Sequence, residues 1–259
     1  MMGGFETPPI VVGGVGGSGT RLVAKMLQTL GIFIGDDLNH AYDNMRLARV
    51  FPAMRDRIQS IGSIGTVAEP TAAAAAGAFV ADTLSEFTRE MRAAYLRQHA
   101  HRAGWGWKVP SSYSLLAHLA ASFPGLVYVH VIRHGVDMAF SANRNQLRNW
   151  GRHYGVNPEA IPPERAALAF WIAANRRTVA EARRLRIRFL LLNFDDLCRQ
   201  PAMTAGALLD FLGHPRQALA EVLPLVNAPQ SLGRRVGHDL GFVGPDEQQA
   251  LAEFGFDFP

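Results

Sequence analysis

The chain has 259 residues, 48% hydrophobic and 19% charged, the composition of an ordinary globular protein with a sizeable core. Its 26 basic and 22 acidic side chains leave a formal net charge of +4, which suits an anionic ligand; the arginines are scattered rather than striped, which argues against a nucleic-acid binder. The longest apolar or small-residue run, Thr71–Ala81, is far short of the roughly 20 residues of a membrane span. MMGGFETPPI at the N-terminus lacks a signal peptide's apolar core, and the single cysteine, Cys198, forms no intramolecular disulfide and fits a reducing compartment, so a cytoplasmic protein is expected.

In chain order, an apolar run at Ile10–Val12 reads as a buried strand, followed by a glycine-rich loop and a helix over Thr20–Leu30. Shorter helical patterns lie at Asp43–Ile61 and Val136–Arg148, and longer ones at Ala72–Arg102, Tyr113–Ser122, Glu164–Arg184, Met203–Leu212 and Pro245–Phe254. GWGWKV, ending on Lys108 and Val109, reads as a short strand, and Leu126–Ile132 and Ile187–Asn193 lack strict alternation, as strands buried on both faces of a parallel sheet do. Strands alternating with helices predict an α/β protein, a three-layer sandwich around a mostly parallel central sheet, and no linker divides residues 1–259, so one domain is expected. The least regular segments, Gly35–Ser63 and Trp150–Glu164, are expected to cap a site outside the carboxyl ends of the strands.

The loop holds five glycines in the seven residues Gly13–Gly19. A loop from buried strand to helix presents backbone N–H groups and the positive end of the helix dipole, and so binds an anion. Read as a Walker A loop, Gly14–Arg21 has Thr20 where the phosphate-binding lysine belongs and Arg21 where the metal-binding hydroxyl belongs. Without both, charge on a transferred phosphoryl group goes unneutralised. A sulfuryl group carries less negative charge, and N–H groups with Ser18, Thr20 and a few cations could suffice for it.

A second anion site is read in LVYVHVIRHGVDMAFSANRNQL, where Arg133 ends a buried strand and Ser141 follows eight residues later. With a helix starting near Asp137, Ser141 would lie about one turn into it and both side chains would reach one phosphate.

VGGVGGSGTR, GWGWKVP, VIRHGVDMAFS, SLGRRVG and LLLNFDDLCRQPAMTAGALLDFLG together resemble the sulfotransferases that use 3′-phosphoadenosine 5′-phosphosulfate (PAPS), most closely the soluble bacterial-type members. The resemblance runs through nearly the whole chain and implies a P-loop-like topology, PAPS as donor, adenosine 3′,5′-bisphosphate as product and no metal. It places the 5′-phosphosulfate on Gly16, Gly17, Ser18, Gly19, Thr20 and Arg21, the 3′-phosphate on Arg133 and Ser141, and Arg234 and Arg235 over that phosphate. It also implies that Lys108, which with Lys25 makes up the chain's only two lysines, contacts the phosphosulfate, where it could stabilise charge on the bridging oxygen. Many members carry a basic residue at the position of Gly17; here Arg21 follows four residues later.

A hydroxyl acceptor needs a base for its proton. Some members place a carboxylate about twenty residues after the loop, and here that region is GDDLNHAYDN. Asp37 is the nearest match, His40 and Asp43 are within reach, and Glu69 is a further alternative. Trp105, Trp107 and Trp171 read as core, and the nine histidines show no metal-site spacing. The expected partner is a small-molecule, sugar or lipid acceptor, with no nucleic acid and no membrane span. Two other readings stay open: an ATP-dependent small-molecule kinase with FLLLNFDDL as its Walker B strand, and a non-catalytic adenosine bisphosphate-binding module.

Overall fold

The computed structural model describes residues 5–62, 69–98 and 103–258. Its strands are β1 (Ile10–Gly13), β2 (Ile32–Phe33), β3 (Gly104–Lys108), β4 (Val127–Ile132) and β5 (Arg188–Asn193). They form one sheet in the order β2-β3-β1-β4-β5, every pairing parallel. The connections are helical: α1 (Thr20–Thr29), α2 (Met45–Gln59), α3 (Pro70–Arg97), α4 (Leu116–Ser122), α5 (Gly135–Ala139), α6 (Asn145–Trp150), α7 (Pro163–Arg184), α8 (Phe194–Arg199), α9 (Pro201–Leu212), α10 (Leu219–Val222) and α11 (Pro245–Glu253).

Successive side chains of a strand point to opposite faces, and β1 divides its two central valines accordingly. Val11 packs with Trp105, Trp107, Tyr128 and the apolar faces of α2, α3, α4 and α7. Val12 packs on the other side with Val23, Met26 and Leu27 of α1, Val129, Val131 and Leu208 of α9. This is the three-layer α/β sandwich expected from the alternation. Trp105, Trp107 and Trp171 are all core residues.

Helix ends follow local chemistry. Asn44 caps α2 by accepting the Leu47 N–H, and Asn193 caps α8 by accepting from Asp195 and Asp196. Three expectations need correction. The segment expected as a helix over Tyr113–Ser122 begins as a tight 3₁₀ turn, Pro110–Leu115, before α4. The helix expected over Val136–Arg148 is two short ones, because Ser141, Asn143 and Arg144 lie in a break where the Ser141 and Asn143 side chains accept local backbone N–H groups. The helix expected over Ala72–Arg102 begins two residues earlier, and Gln98 is already extended at its C-terminus; 99–102 lie outside the described residues.

β1 lies between β3 and β4, and the chain leaves it towards β2 but later returns past it to β4. Where a doubly wound sheet changes direction, a crevice forms outside the strands' carboxyl ends. The glycine loop, Lys108 and Arg133 all sit at such ends.

Candidate active site

A cleft of about 560 Å³ opens at that crevice. One wall is the glycine loop and α1: Gly16, Gly17, Gly19, Thr20, Arg21, Leu22 and Lys25. Ala41 and Asp43, from the segment after β2, face it together with Lys108 and Pro110 beyond β3. Arg133, Asn143 and Phe194 also line it, and Leu225, Asn227, Pro229 and Ser231 complete the lining as a further wall. The Gly35–Ser63 segment thus contributes to the cap. Trp150–Glu164 contributes none of the lining residues, and the segment from Leu225 to Ser231 takes its place.

The loop is organised to leave amides open. The Gly16 N–H is taken by Gln146 Oε1 at 2.8 Å, and the Ser18 N–H by the Val15 carbonyl at 3.0 Å. The N–H groups of Gly17, Gly19, Thr20 and Arg21 donate to nothing among the described residues, and α1 has no side-chain cap. Buried Ser18 Oγ is also without a partner there. Gly17 and Gly19 have φ of +97° and +98°, in the left-handed region where side chains are strained. A Cβ at Gly19 would collide with the Phe194 ring, and one at Gly17 would lie 3.4 Å from Met138 Cε. A basic side chain at position 17 is therefore disfavoured by the backbone itself, and Arg21, exposed on the first turn of α1, supplies a cation to the cleft.

Lys108 is the last residue of β3, in register with Val12. The residue is 2% exposed, and its ammonium donates to Asp43 Oδ1 at 2.5 Å and to the Ala41 carbonyl at 2.9 Å. Burial pulls its pKa below the ordinary lysine value; Asp43 opposes that shift, and the Arg21 charge adds to it. Asn39 organises the segment that presents Asp43. Its Oδ1 accepts the N–H groups of Ala41 at 2.8 Å and Asp43 at 2.9 Å, and its Nδ2 donates to Asp43 Oδ2 at 2.9 Å. Both oxygens of Asp43 thus face donors.

Of the other candidate bases, Asp37 is outside the lining and pairs with Arg49 at 2.6 Å. His40 is exposed and outside the lining, and Glu69 is an exposed residue preceding α3. Asp43 alone among these four lines the cleft.

Arg133 follows β4 and is 5% exposed. Its guanidinium donates to the Ser231 carbonyl and, at 3.2 Å, to Ser231 Oγ, lies 5.6 Å from the Phe194 ring centroid, and stands 3.8 Å from Asp137. Its Nε has no partner among the described residues. Asp137 also accepts the N–H groups of Gly233 at 2.7 Å and Arg235 at 2.9 Å and the Arg235 guanidinium at 3.1 Å. Burial raises the Asp137 carboxyl, but these bonds outweigh it and hold the pKa below the usual value. Arg235 is thus committed to Asp137, and Arg234 stands near enough to Arg133 for its charge to depress that pKa, whose largest cause is burial. Neither lines the cleft. Ser141 lies just past α5 rather than a turn inside a helix; its Oγ accepts the Asn143 N–H at 3.2 Å and sits 3.9 Å from where a Gly17 Cβ would be.

Asp195, the metal ligand of the kinase reading, is buried and outside the lining. Its Oδ2 accepts the His134 N–H at 3.1 Å. Among the described residues no three His, Cys, Asp or Glu side chains converge on a metal-sized site, and no helix is long and apolar enough to cross a membrane.

Asn39, Gln146, Phe194 and the Leu225–Pro229 part of the further wall were not legible in the sequence as parts of the site; Ser231 opens the SLGRRVG motif, but its bond to Arg133 was not foreseen. Asn39 left a faint signal, a turn-forming residue four before an acid; Gln146 left none.

An all-parallel α/β sheet with an anion-ready glycine loop, a buried lysine and a buried arginine at its strand ends is a P-loop-like fold whose cleft suits an anionic ligand. The chain matches the sulfotransferase family over residues 8–218 and belongs to it. Among solved structures it is similar to the sulfotransferase domain of the Synechococcus PCC 7002 olefin synthase, at 18% identity over 100% of this chain and 98% of that one, TM-score 0.59. A sulfotransferase domain from the curacin biosynthetic pathway matches at 14% identity over 98% and 99% of the two chains, TM-score 0.59. A sulfotransferase from Alicyclobacillus acidocaldarius matches at 14% identity over 96% and 91%, TM-score 0.50. These likenesses fix the P-loop-like sulfotransferase fold. No curated protein sequence matches significantly.

Proposed function

We propose that the protein transfers the sulfuryl group of PAPS to a hydroxyl of a small-molecule acceptor. The observation that carries this reading is the loop's set of unengaged N–H groups, at Gly17, Gly19, Thr20 and Arg21, in one cleft with the Lys108–Asp43 pair. The open amides, the orphaned Ser18 Oγ and the unpartnered Nε of Arg133 suit a nucleotide with anionic groups at two ends.

Bound there, PAPS supplies an activated sulfuryl group. The loop amides and the N-terminus of α1 hold the group's anionic neighbourhood, and Arg133 with Ser141 receives the second phosphate. Lys108 donates a hydrogen bond to the oxygen on which charge builds as the S–O bond breaks, in a water-poor site where such a bond is strong. Asp43 accepts the proton of the acceptor hydroxyl. Asn39 fixes the carboxylate that does so.

The test is sulfur-35 transfer from labelled PAPS, in EDTA, to phenols, sugars and amines. Label in an acceptor supports the proposal. Transfer of the γ-phosphate of ATP, only with magnesium, would replace it with the kinase reading; tight bisphosphate binding without any transfer would favour the binding module.

A further inference from the structure

Both lysines of the chain line the same cleft, and among the described residues only Lys108 has an ion pair or a hydrogen bond. Lys25 makes no hydrogen bond or ion pair among the described residues; its ammonium lies 5.5 Å from the centroid of the Tyr42 ring. Tyr42 is left-handed, with φ of 64°, a conformation that is strained for a bulky residue and persists where the surroundings impose it. The surroundings are Asn39, whose carbonyl accepts the Tyr42 N–H at 2.9 Å and whose side chain takes the amides on either side. One strained turn thus places Ala41 and Asp43 on Lys108 and the intervening ring on Lys25.

Charge in the cleft is lopsided. Asp43 is the one carboxylate among its lining residues, and Lys108 and Asn39 already hold it. Arg21 and Lys25, four apart on α1, have no acidic partner among the described residues. Arg21 belongs to the helix's first turn, beside the open amides, and its charge reaches Lys108. Lys25 is a turn further from the loop, against the segment that carries Asp43. A cation there faces the cleft beside the turn that presents Asp43.

Resting on the proposed function, we infer that the acceptor is itself an anion: a hydroxyl compound bearing a carboxylate, phosphate or sulfate ester, which Lys25 receives between α1 and the 39–43 segment while the hydroxyl meets Asp43 and Lys108. In the transfer the donor's S–O bond to phosphate breaks, a bond forms from sulfur to the acceptor oxygen, and the hydroxyl proton passes to the Asp43 carboxylate. The electron pair of the broken bond stays with the departing adenosine bisphosphate.

The test compares matched probes, glucose with glucose 6-phosphate and phenol with 4-hydroxyphenylacetate, by sulfur-35 transfer from PAPS in wild type, Lys25→Met and Lys25→Arg. The expected result is kcat/KM at least about tenfold higher for an anionic probe than for its neutral twin, an advantage lost in Lys25→Met and kept in Lys25→Arg. Affinity for adenosine 3′,5′-bisphosphate should stay within about threefold in both variants. Anionic probes transferred no better than neutral ones by an enzyme that binds the bisphosphate would overturn the assignment, as would a tenfold or greater loss of bisphosphate affinity in Lys25→Met, which would place Lys25 on the donor. Failure of wild type to bind the bisphosphate at all would instead remove the proposed function, and this inference with it.

Discussion

Asp43→Asn separates a proton acceptor from a mere counter-ion. Oδ1 faces the Lys108 ammonium at 2.5 Å and Oδ2 faces Asn39 Nδ2 at 2.9 Å. Asparagine has one oxygen, so either orientation turns an N–H₂ group towards a donor. Removing one partner of a fully buried ion pair costs about 3–5 kcal/mol. Here the Lys108 side chain is 3% exposed but that of Asp43 is 21% exposed, and the Ala41 carbonyl still accepts from Lys108, so a loss of about 2 kcal/mol is expected. Loss of the base should lower kcat by about 10²–10⁴. With the Asp43 charge gone, its offset to the burial of Lys108 is lost, and the lysine's pKa falls further below its ordinary value. Urea unfolding and PAPS turnover measured on the same preparation would check both effects. A stability loss with turnover within about threefold of wild type would refute the base assignment, and an unchanged midpoint would refute the ion-pair reasoning as well.

Lys108→Ala should slow turnover about a hundredfold or more, the scale of losing one charge-stabilising donor, while bisphosphate affinity falls less; equal losses in both would make the lysine a binding group only. Because burial lowers the Lys108 pKa, the alkaline limb of kcat should lie below the ordinary lysine range near pH ~10.4, and a rate still flat there would contradict the role. His130 provides a stability prediction. It is fully buried, bonded to Asn175 Oδ1 at 2.7 Å, and its pKa is lowered to about 4 by burial, against the opposing effect of the Asn175 bond. Its folded pKa is below the unfolded value of about 6.5, so its contribution is full above that pH and is lost as pH falls towards 4. The loss approaches about 3 kcal/mol. Urea midpoints should decline over that window and decline less in His130→Leu; identical slopes would show that another group governs the acid limb.

The strands at Ile10 and Leu126 were legible because a sheet buried on both faces demands runs of branched apolar residues, and β4 is buried at every position; β5, expected to be buried on both faces, is instead an edge strand in which only Leu192 is fully buried, so its apolar run marked it without two-sided burial. β2 is two residues long and went unseen; its edge position asks too little of the sequence to leave a pattern. The break between α5 and α6 was hidden because Ser141, Asn143 and Arg144 read as the polar face of a helix. Within the site, Lys108 and Arg133 stood out as cations ending buried strands. Asp43 was harder to separate from Asp37, since the outcome turns on the Asn39 cage and the reach of Lys108 across 65 residues. The Leu225–Ser231 wall lay beyond local reasoning, because Ser231 meets Arg133 across 98 residues and the adjoining Gly233 and Arg235 meet Asp137 across 96 and 98.

The most direct test of the account is the selectivity of the donor site, measured by calorimetric titration in EDTA of adenosine 3′,5′-bisphosphate beside adenosine 5′-phosphate, in wild type and Arg133→Ala. A charge-assisted bond to Arg133 is worth about 1.5–3 kcal/mol, so wild type should prefer the bisphosphate by about 10–100-fold and the variant should bind both alike. Equal affinity in wild type, or binding only of ATP with magnesium, would contradict the sulfotransferase reading of the cleft.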